Sequence, residues 1–219
     1  MANKDLINSI VEAITTQIHQ GKSYVTESDL SVTLKVSRTR LRESIQTLHT
    51  YGIISKRQKC GITLAQPDCQ NLCESFILRE TLGKLITDSV LKNITDSDCK
   101  KLEDIDRRLQ DAHAKGNYPA VLRHDLEFHH AFTDIGEMKI ASQILRNLHF
   151  LNYAYLAPLV TKLDDHSVSQ LSHQEIVDSL RRRDPACHKL VRQHIQQGRK
   201  LLMKYYPTPD NGPIQETII

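Results

Sequence analysis

The sequence contains no tryptophan, and aromatic residues make up only 5% of its 219 residues. Glycine and proline are also scarce, with eight and seven residues. These low values exclude a collagen-like repeat and a glycine- or proline-rich disordered chain. No apolar run approaches the ~18 residues that would span a bilayer, and no hydrophobic signal segment follows the first five residues. The sequence therefore predicts a globular, cytosolic protein.

The cysteines do not form a recognisable framework. Their number is odd, and none of them stands in a paired C-x-x-C spacing. This argues against a disulfide-rich fold and against a structural zinc knot. The sequence predicts reduced cysteines with a packing role, at Cys60, Cys69, Cys73, Cys99 and Cys187.

Charge is distributed unevenly along the chain. Residues 1–66 hold nine lysines and arginines against five acidic residues, a net charge of +4. The remaining residues hold 20 basic and 21 acidic side chains, a net charge of −1, which gives +3 for the whole chain. A basic first third followed by a near-neutral remainder indicates a polyanion-binding module joined to a second module.

Hydrophobic spacing predicts three helices and a hairpin in residues 1–66. Apolar residues recur at helical spacing from about residue 4 to residue 20, Thr26 can cap a short second helix, and Ser37 can cap a third helix that ends near Gly52. Two short β-prone runs then flank the basic segment 57–61. This is the element order of a winged helix-turn-helix.

Each part of a winged helix-turn-helix has a task on DNA. The third helix presents its first residues to the major groove, where arginine pairs with guanine and serine or threonine suits phosphates or base edges. The residues of this kind at the start of the predicted helix are Ser37, Arg38, Thr39, Arg40 and Arg42. The hairpin adds Lys56, Arg57 and Lys59 for the backbone or the minor groove. The alternative is a solvated charged face on an ordinary helical domain.

From Pro67 onward the sequence predicts helices alone, so the fold class is mainly α, with an all-helical antiparallel bundle after the winged module. Six helical patterns run through residues 67–206, with starts indicated at Thr95, Pro119 and Asp184-Pro185, and with Pro158 as a kink or end of the fourth. The predicted domains are 1–66 and 67–206, followed by a disordered tail at 207–219.

A carboxylate and an imidazole lie one helical turn apart in the middle of the second domain. Asp125 and His129 are four residues apart and therefore share a helix face. His173 and His194 lie at or within later predicted helices. One aspartate and three histidines suit a divalent cation such as Zn²⁺ or Ni²⁺ and leave coordination positions open. In a chain with 11 histidines, such a pair also arises by chance.

The first module resembles the GntR family of bacterial transcription regulators. The resemblance lies in residues 26–30, in the segment 36–48 with its Ser-Arg-Thr-x-x-Arg-Glu core, and in residues 51–54 and 61–64. It implies that Arg38, Thr39 and Arg42 contact DNA and that the wing around Gly61 enters the minor groove. Arg40 and Ser28 depart from the family pattern, so the operator is expected to differ from the common one.

The second module, from about Cys69 to Met203, resembles the FCD effector domain of the FadR subfamily. The matching positions are Arg79, the Asp125-x-x-Phe128-His129 motif, His173 and His194. In metal-containing members these aspartate and histidine positions hold an ion whose open sites take a small organic acid. The resemblance implies a metal site of Asp125, His129, His173 and His194. It also implies that Arg79 pairs with the ligand carboxylate. Alternatively, Arg79 forms a salt bridge with an acidic side chain within the bundle.

Two further features of the second module concern single positions. Asn152 and Tyr153 are predicted to line the effector cavity. Gly83 stands where the family usually carries glutamate.

These features together predict a ligand-responsive regulator, most simply a repressor, that acts as a homodimer on a pseudo-palindromic DNA operator. The protein is not expected to be an enzyme. One alternative is a metal-dependent hydrolase, in which the same ligands would activate water and Glu127 or Glu175 would serve as general base. Another is a regulator for which the metal itself is the signal.

Overall fold

In the computed structural model of the chain, the described residues are 3–50, 52–57, 61–65, 69–157, 159 and 173–206. The chain divides into two compact units, Met1–Gln66 and Pro67–Ile219. The predicted disordered tail at 207–219 and the predicted kink at Pro158 lie outside the described residues. No helix in the described ranges is long and apolar enough to cross a membrane.

The first unit contains three helices and a two-stranded antiparallel hairpin. They are α1 (Asn3–His19), α2 (Glu27–Leu34), α3 (Arg38–Thr50), β1 (Ile54–Arg57) and β2 (Gly61–Leu64), with Arg57 paired to Gly61 and Ile54 to Leu64. The core joins the apolar faces of the three helices, and its fully buried members include Leu6, Ile10, Ile14, Leu30, Leu41 and Ile45. This confirms the predicted order of a winged helix-turn-helix.

Local hydrogen bonds explain where α2 begins and ends. The Thr26 hydroxyl accepts a hydrogen bond from the Asp29 backbone at 3.1 Å, and the Asp29 carboxylate accepts one from the Thr26 backbone at 3.2 Å. This reciprocal cap satisfies two amides that have no partner within the helix. Lys35, in the left-handed conformation at φ 52°, ends the helix.

Gly61 begins β2 under two structural constraints. Its φ is +102°, a value that residues with a side chain rarely adopt. A Cβ atom at this position would lie 2.7 Å from Cδ2 of Tyr24 and 2.9 Å from the carbonyl oxygen of Val25. The glycine is therefore required by the close approach of the chain before α2, where Val25 pairs with Ile62.

The second unit contains six described helices. They are α4 (Cys69–Asn93), α5 (Asp96–Ala114), α6 (Tyr118–Ile135), α7 (Lys139–Leu156), α8 (Gln174–Arg181) and α9 (Cys187–Tyr205). Thr95 and Asp98 form a reciprocal cap at the start of α5, and Pro119 lies in the first turn of α6, both as predicted. The last helix begins later than predicted, because the Asp184 carboxylate accepts a hydrogen bond from the Ala186 backbone at 2.8 Å within the preceding turn.

Helix α6 lies at the centre of the second unit. It packs against α4, α5 and α7, while α9 packs against α4 and α8. Phe128 of α6 is buried in a core with Ile86, Val90, Leu102 and Val177. Because α6 is surrounded on several sides, polar side chains on its inward faces lie inside the bundle.

Candidate effector site and nucleic-acid interface

Four potential metal ligands meet inside the second unit. Asp125 and His129 lie one turn apart on α6, His173 precedes α8, and His194 lies in α9. One ligand atom from each of them falls within 4.8 Å of those of the other three. The structure thus brings together all four residues that were predicted from the sequence.

The distances within this cluster suit a bound cation. Oδ1 of Asp125 lies 3.3 Å from Nε2 of His173 and 3.6 Å from Nε2 of His129. Nε2 of His129 lies 3.3 Å from Nε2 of His194. Ligand atoms at ~2.1 Å from a shared Zn²⁺ at tetrahedral angles would be separated by about the same distances. Oδ1 of Asp125 and Nε2 of His173 are buried without a hydrogen-bond partner among the described residues, and a cation would satisfy both.

The electrostatics of the cluster favour imidazoles in the ligand form. Burial lowers the pKa of His129 and of His194 well below the ordinary value, and neighbouring histidines and Arg79 lower both further. Both rings are therefore neutral at physiological pH, which is the protonation state that binds metal. Burial also acts to lower the pKa of His173, but the adjacent carboxylates of Asp106 and Asp125 outweigh it and raise that pKa above its ordinary value.

Asp106 is a positioning residue that the sequence reading missed. Its Oδ1 accepts hydrogen bonds from the His173 backbone at 2.9 Å and lies 3.1 Å from Nδ1 of His173. This contact orients the imidazole so that Nε2 faces Asp125. The sequence pattern could have indicated this residue, because Asp106 is a charged side chain on the buried face of α5, between Leu102 and Leu109.

His149 of α7 also belongs to this region, although no sequence pattern indicated it. Its ring stacks on that of His129, with the centroids 4.5 Å apart. Its Nδ1 is buried and has no hydrogen-bond partner within the described ranges, and burial lowers its pKa well below the ordinary value. In the sequence His149 stands between Leu148 and Phe150, where nothing distinguishes it from a packing residue.

Three other histidines of the second unit, at positions 124, 130 and 188, lie outside the ligand cluster. His130 is buried, at 5% exposure, because α6 is covered on this side by α7 and the ring packs on Phe150. His124 and His188 are partly buried and lie 3.2 Å from Glu127 and 3.0 Å from Asp88. Cys187 is buried, as predicted.

A cavity of about 40 Å³ lies beside the cluster, with room for about three water-sized groups. Its lining includes the predicted ligand-binding residues Arg79, Asn152 and Tyr153 together with Asp125, His129 and His194. Asn152 accepts a hydrogen bond from the Ser75 hydroxyl at 3.3 Å, whereas its amide nitrogen is buried without a partner among the residues that the structure describes. The cavity therefore offers an uncommitted hydrogen-bond donor.

Arg79 is the second such donor. It is 6% exposed, and its Nε is buried without a hydrogen-bond partner in the described part of the chain. Burial lowers its pKa to about 10, although Asp125 acts in the opposite direction. Within the described ranges Arg79 forms no salt bridge, and its guanidinium lies 5.1 Å from the centroid of the Phe76 ring. An anionic ligand would supply the missing partner, since the arginine fork matches a carboxylate.

The metal-free protein should lose stability as the pH falls from about 7.5 to about 5. The pKa values of His129, His149 and His194 are below 6.5 in the folded state and return to about 6.5 on unfolding. The unfolded chain therefore binds more protons below that pH, which favours unfolding. His173 acts in the opposite sense, because its raised pKa gives stability at low pH that is lost as the pH rises.

Three groups lower stability at acidic pH and one raises it, so the thermal midpoint in the presence of a chelator should fall as the pH falls. Thermal denaturation followed by circular dichroism measures it. A midpoint that rises on acidification would contradict the assignment of neutral buried imidazoles.

Helix α3 presents a basic face in the first unit. Leu41, Ile45 and Leu48 are buried, so the opposite face of the helix is exposed. That face includes Arg38, Thr39 and Arg42, with Ser37 exposed just before the helix. Arg40 is half-buried.

One salt bridge holds Arg42 on this surface. Nε of Arg42 lies 2.7 Å from the Glu27 carboxylate at the start of α2. The arrangement leaves Arg42 68% exposed. A DNA phosphate or base edge can still reach the rest of its guanidinium group.

The hairpin extends the basic surface only in part among the described residues. Lys56 of β1 is exposed. The backbone of Arg57 pairs with Gly61. The predicted contact Lys59 lies outside the described residues. Gly61 has a structural reason to be glycine, as described above, which is independent of any contact with DNA.

Comparisons with known proteins agree with these two units. Residues 74–197 match the model of the FCD domain family, which is more than half of the chain. No curated protein sequence matches the chain significantly.

Solved structures with the same overall fold cover nearly the whole chain. McbR/YncC of E. coli is similar with a TM-score of 0.77 and 19% identity, over 93% of this chain and 96% of that one. A transcriptional regulator GntR from Rhodococcus sp. RHA1 is similar with a TM-score of 0.67 and 16% identity, over 91% and 98%. A GntR protein of Streptococcus agalactiae has a TM-score of 0.50 and 24% identity, over 87% and 99%. The chain therefore belongs to the FCD domain family, and it has the fold of GntR-type transcriptional regulators.

Proposed function

We propose that the protein is a DNA-binding transcription regulator that responds to a small organic acid. One observation carries this proposal, namely that two different features occur in a single chain. The first unit has an exposed helix that begins with arginines. The second unit is a bundle whose interior holds, next to the four potential metal ligands, hydrogen-bond donors that have no partner among the described residues. The first feature suits DNA, and the second suits a small anion. Such a protein acts in the cytoplasm, where its operator is.

A divalent metal, Zn²⁺ or Ni²⁺, is proposed for the cluster. Asp125, His129, His173 and His194 would hold it, and Asp106 would fix the orientation of His173. When bound, the metal supplies a positive charge with open coordination sites that attract a carboxylate. Arg79 and Asn152 would then orient the acid from the cavity side, with Tyr153 completing the wall.

The hydrolase alternative has little support among the described residues, because one proposed general base pairs with an arginine and the other faces solvent. Glu127 accepts a hydrogen bond from Arg108 at 2.8 Å, and this contact lowers the pKa of its carboxyl despite partial burial. Glu175 is exposed in the first turn of α8. Neither lines the cavity beside the cluster. A general base must lie within reach of the water that it activates.

A homodimer is the expected assembly. Five large apolar side chains of the second unit are substantially exposed, namely Ile77, Leu78 and Leu85 of α4 and Ile140 and Ile144 of α7. Helices α4 and α7 pack against each other, so these side chains lie on neighbouring elements. Exposed apolar groups of this kind favour association with a second copy. A two-fold dimer would read a pseudo-palindromic operator.

Regulation would follow from a difference in ligand affinity between two states of the dimer. An acid that binds more tightly to the state with low operator affinity shifts the population toward that state and releases DNA. We therefore propose repression in the absence of the acid.

The experiment that tests this function has two stages. Elemental analysis of the untagged protein should find about one metal ion per chain, and a thermal-shift screen of small organic acids should identify an acid that raises the melting temperature. DNA selected from a random library should then be bound without that acid and released with it. If Zn²⁺ alone releases the DNA and no acid has an effect, the metal itself is the signal. If no DNA is enriched, the proposal fails.

A further inference from the structure

A second cavity lies against the same cluster. It measures about 30 Å³ and shares four wall residues with the first cavity: Arg79, His129, His149 and His194. The two cavities thus adjoin the same side chains in the interior of the bundle. A ligand held at these residues would therefore lie beside the second cavity.

The remainder of the second lining is almost entirely apolar. Its members are Phe128, Phe132, Leu145, Ile176, Val191 and Ile195, together with Gly83 and Thr133. The Thr133 hydroxyl donates to the carbonyl oxygen of His130 at 2.9 Å and is therefore already satisfied. Beyond the four shared residues, the described lining gives a polar ligand group little to bind, and burying such a group there would be unfavourable.

Gly83 keeps space open in this cavity. It lies inside helix α4, where glycine is less favourable than alanine, and it has no positive φ that would require glycine. A Cβ atom at this position would lie 3.3 Å from Cδ1 of Ile195 and 4.0 Å from Cγ1 of Val191. All three residues line the cavity, so any side chain at position 83 would take up part of its room.

From these observations we propose that the effector is a carboxylic acid with a short aliphatic tail, and that the tail occupies the cavity beside Gly83. The inference rests on the proposed function, because it assumes that the carboxylate is held by the cluster and Arg79. The volume has room for about two water-sized groups, which corresponds to an ethyl- or isopropyl-sized tail. Gly83 would then set the permitted tail length, and a hydroxyl or charge on the tail would be rejected.

A series of straight-chain acids tests the proposal on the zinc-loaded protein. Dissociation constants for acetate, propanoate, butanoate, pentanoate and hexanoate are measured by calorimetry. Affinity should increase by about fourfold for each methylene that enters the cavity and should stop increasing once the cavity is full. 3-Hydroxybutanoate should bind more weakly than butanoate.

Two variants change the cavity in opposite directions. Gly83→Ala should remove most of the gain with tail length, and Ile195→Ala should extend the gain to longer acids, while acetate affinity stays within about twofold in both. Melting temperatures of the variants verify folding. Alanine is also favourable in the middle of a helix, so Gly83→Ala is expected to fold.

The outcomes separate this inference from the proposed function. If acids bind but affinity is independent of tail length, or if Gly83→Ala leaves the length dependence unchanged, the tail site is wrong and the proposed function stands. If no acid binds to the zinc-loaded protein, the carboxylate site fails and the inference fails with it.

Discussion

Replacing Arg38 with alanine should lower the affinity for the selected operator by about 5- to 150-fold, the range for loss of a base-reading arginine. Arg38 is the first residue of α3 and is exposed, which suits a base contact in the major groove. Arg42→Ala should have a similar effect, because Arg42 lies one turn further along the same exposed face. Fluorescence anisotropy with labelled operator DNA measures both affinities.

The salt dependence separates base contacts from phosphate contacts. Loss of a phosphate contact reduces the slope of log affinity against log salt by about one and weakens binding to all sequences alike. Loss of a base contact relaxes the preference at one position of the operator. We expect loss of Arg38 to relax the preference at one position of the operator. Loss of Lys56, which lies on the hairpin, should instead reduce the slope of log affinity against log salt.

Arg182→Ala is the matched control for these variants. It removes the same charge from an exposed position in the second unit and should leave operator affinity unchanged. If Arg38→Ala and Arg42→Ala bind the operator as the control does, α3 is not the recognition helix.

Replacing Asp125 or His173 with alanine should abolish stoichiometric metal binding. Each change removes one of four ligands, and Asp125 is also the residue that links His129 with His173. A metal present at 1,000 times its dissociation constant stabilises the folded protein by about 4 kcal/mol. For a chain of this size, that corresponds to an increase of roughly 8–16 °C in the melting temperature, which the variants should lack.

The measurement compares each variant with and without Zn²⁺, so that any loss of stability in the metal-free protein cancels. His188→Ala is the control, because His188 pairs with Asp88 and lies outside the cluster. Unchanged metal content in Asp125→Ala and His173→Ala would show that the site is elsewhere.

Asp106→Asn should retain all four ligands but bind metal about 10- to 100-fold more weakly, since the amide no longer holds His173 as the carboxylate does.

The features that were predictable from the sequence are governed by local interactions. The reciprocal caps at Thr26 and Thr95 involve residues three positions apart, so the starts of α2 and α5 are encoded in short segments. The apolar spacing of α3 likewise decides which of its residues are buried and which are exposed. Asp125 and His129 share a helix face for the same reason. His173 and His194 were identified through their positions in a family pattern.

The tertiary structure decided what surrounds these residues. Asp106 meets His173 from 67 residues away, and His149 stacks on His129 from another helix, so no local spacing reveals either contact. The burial of Arg79 and His130 likewise depends on neighbouring helices rather than on the spacing within their own. The sequence by itself determined the helices, the basic recognition face and the ligand types, because these depend on neighbours in the chain. Only the packing of α4, α6, α7, α8 and α9 determined the two cavities and the room beside Gly83, because a cavity is the space that several distant segments leave between them.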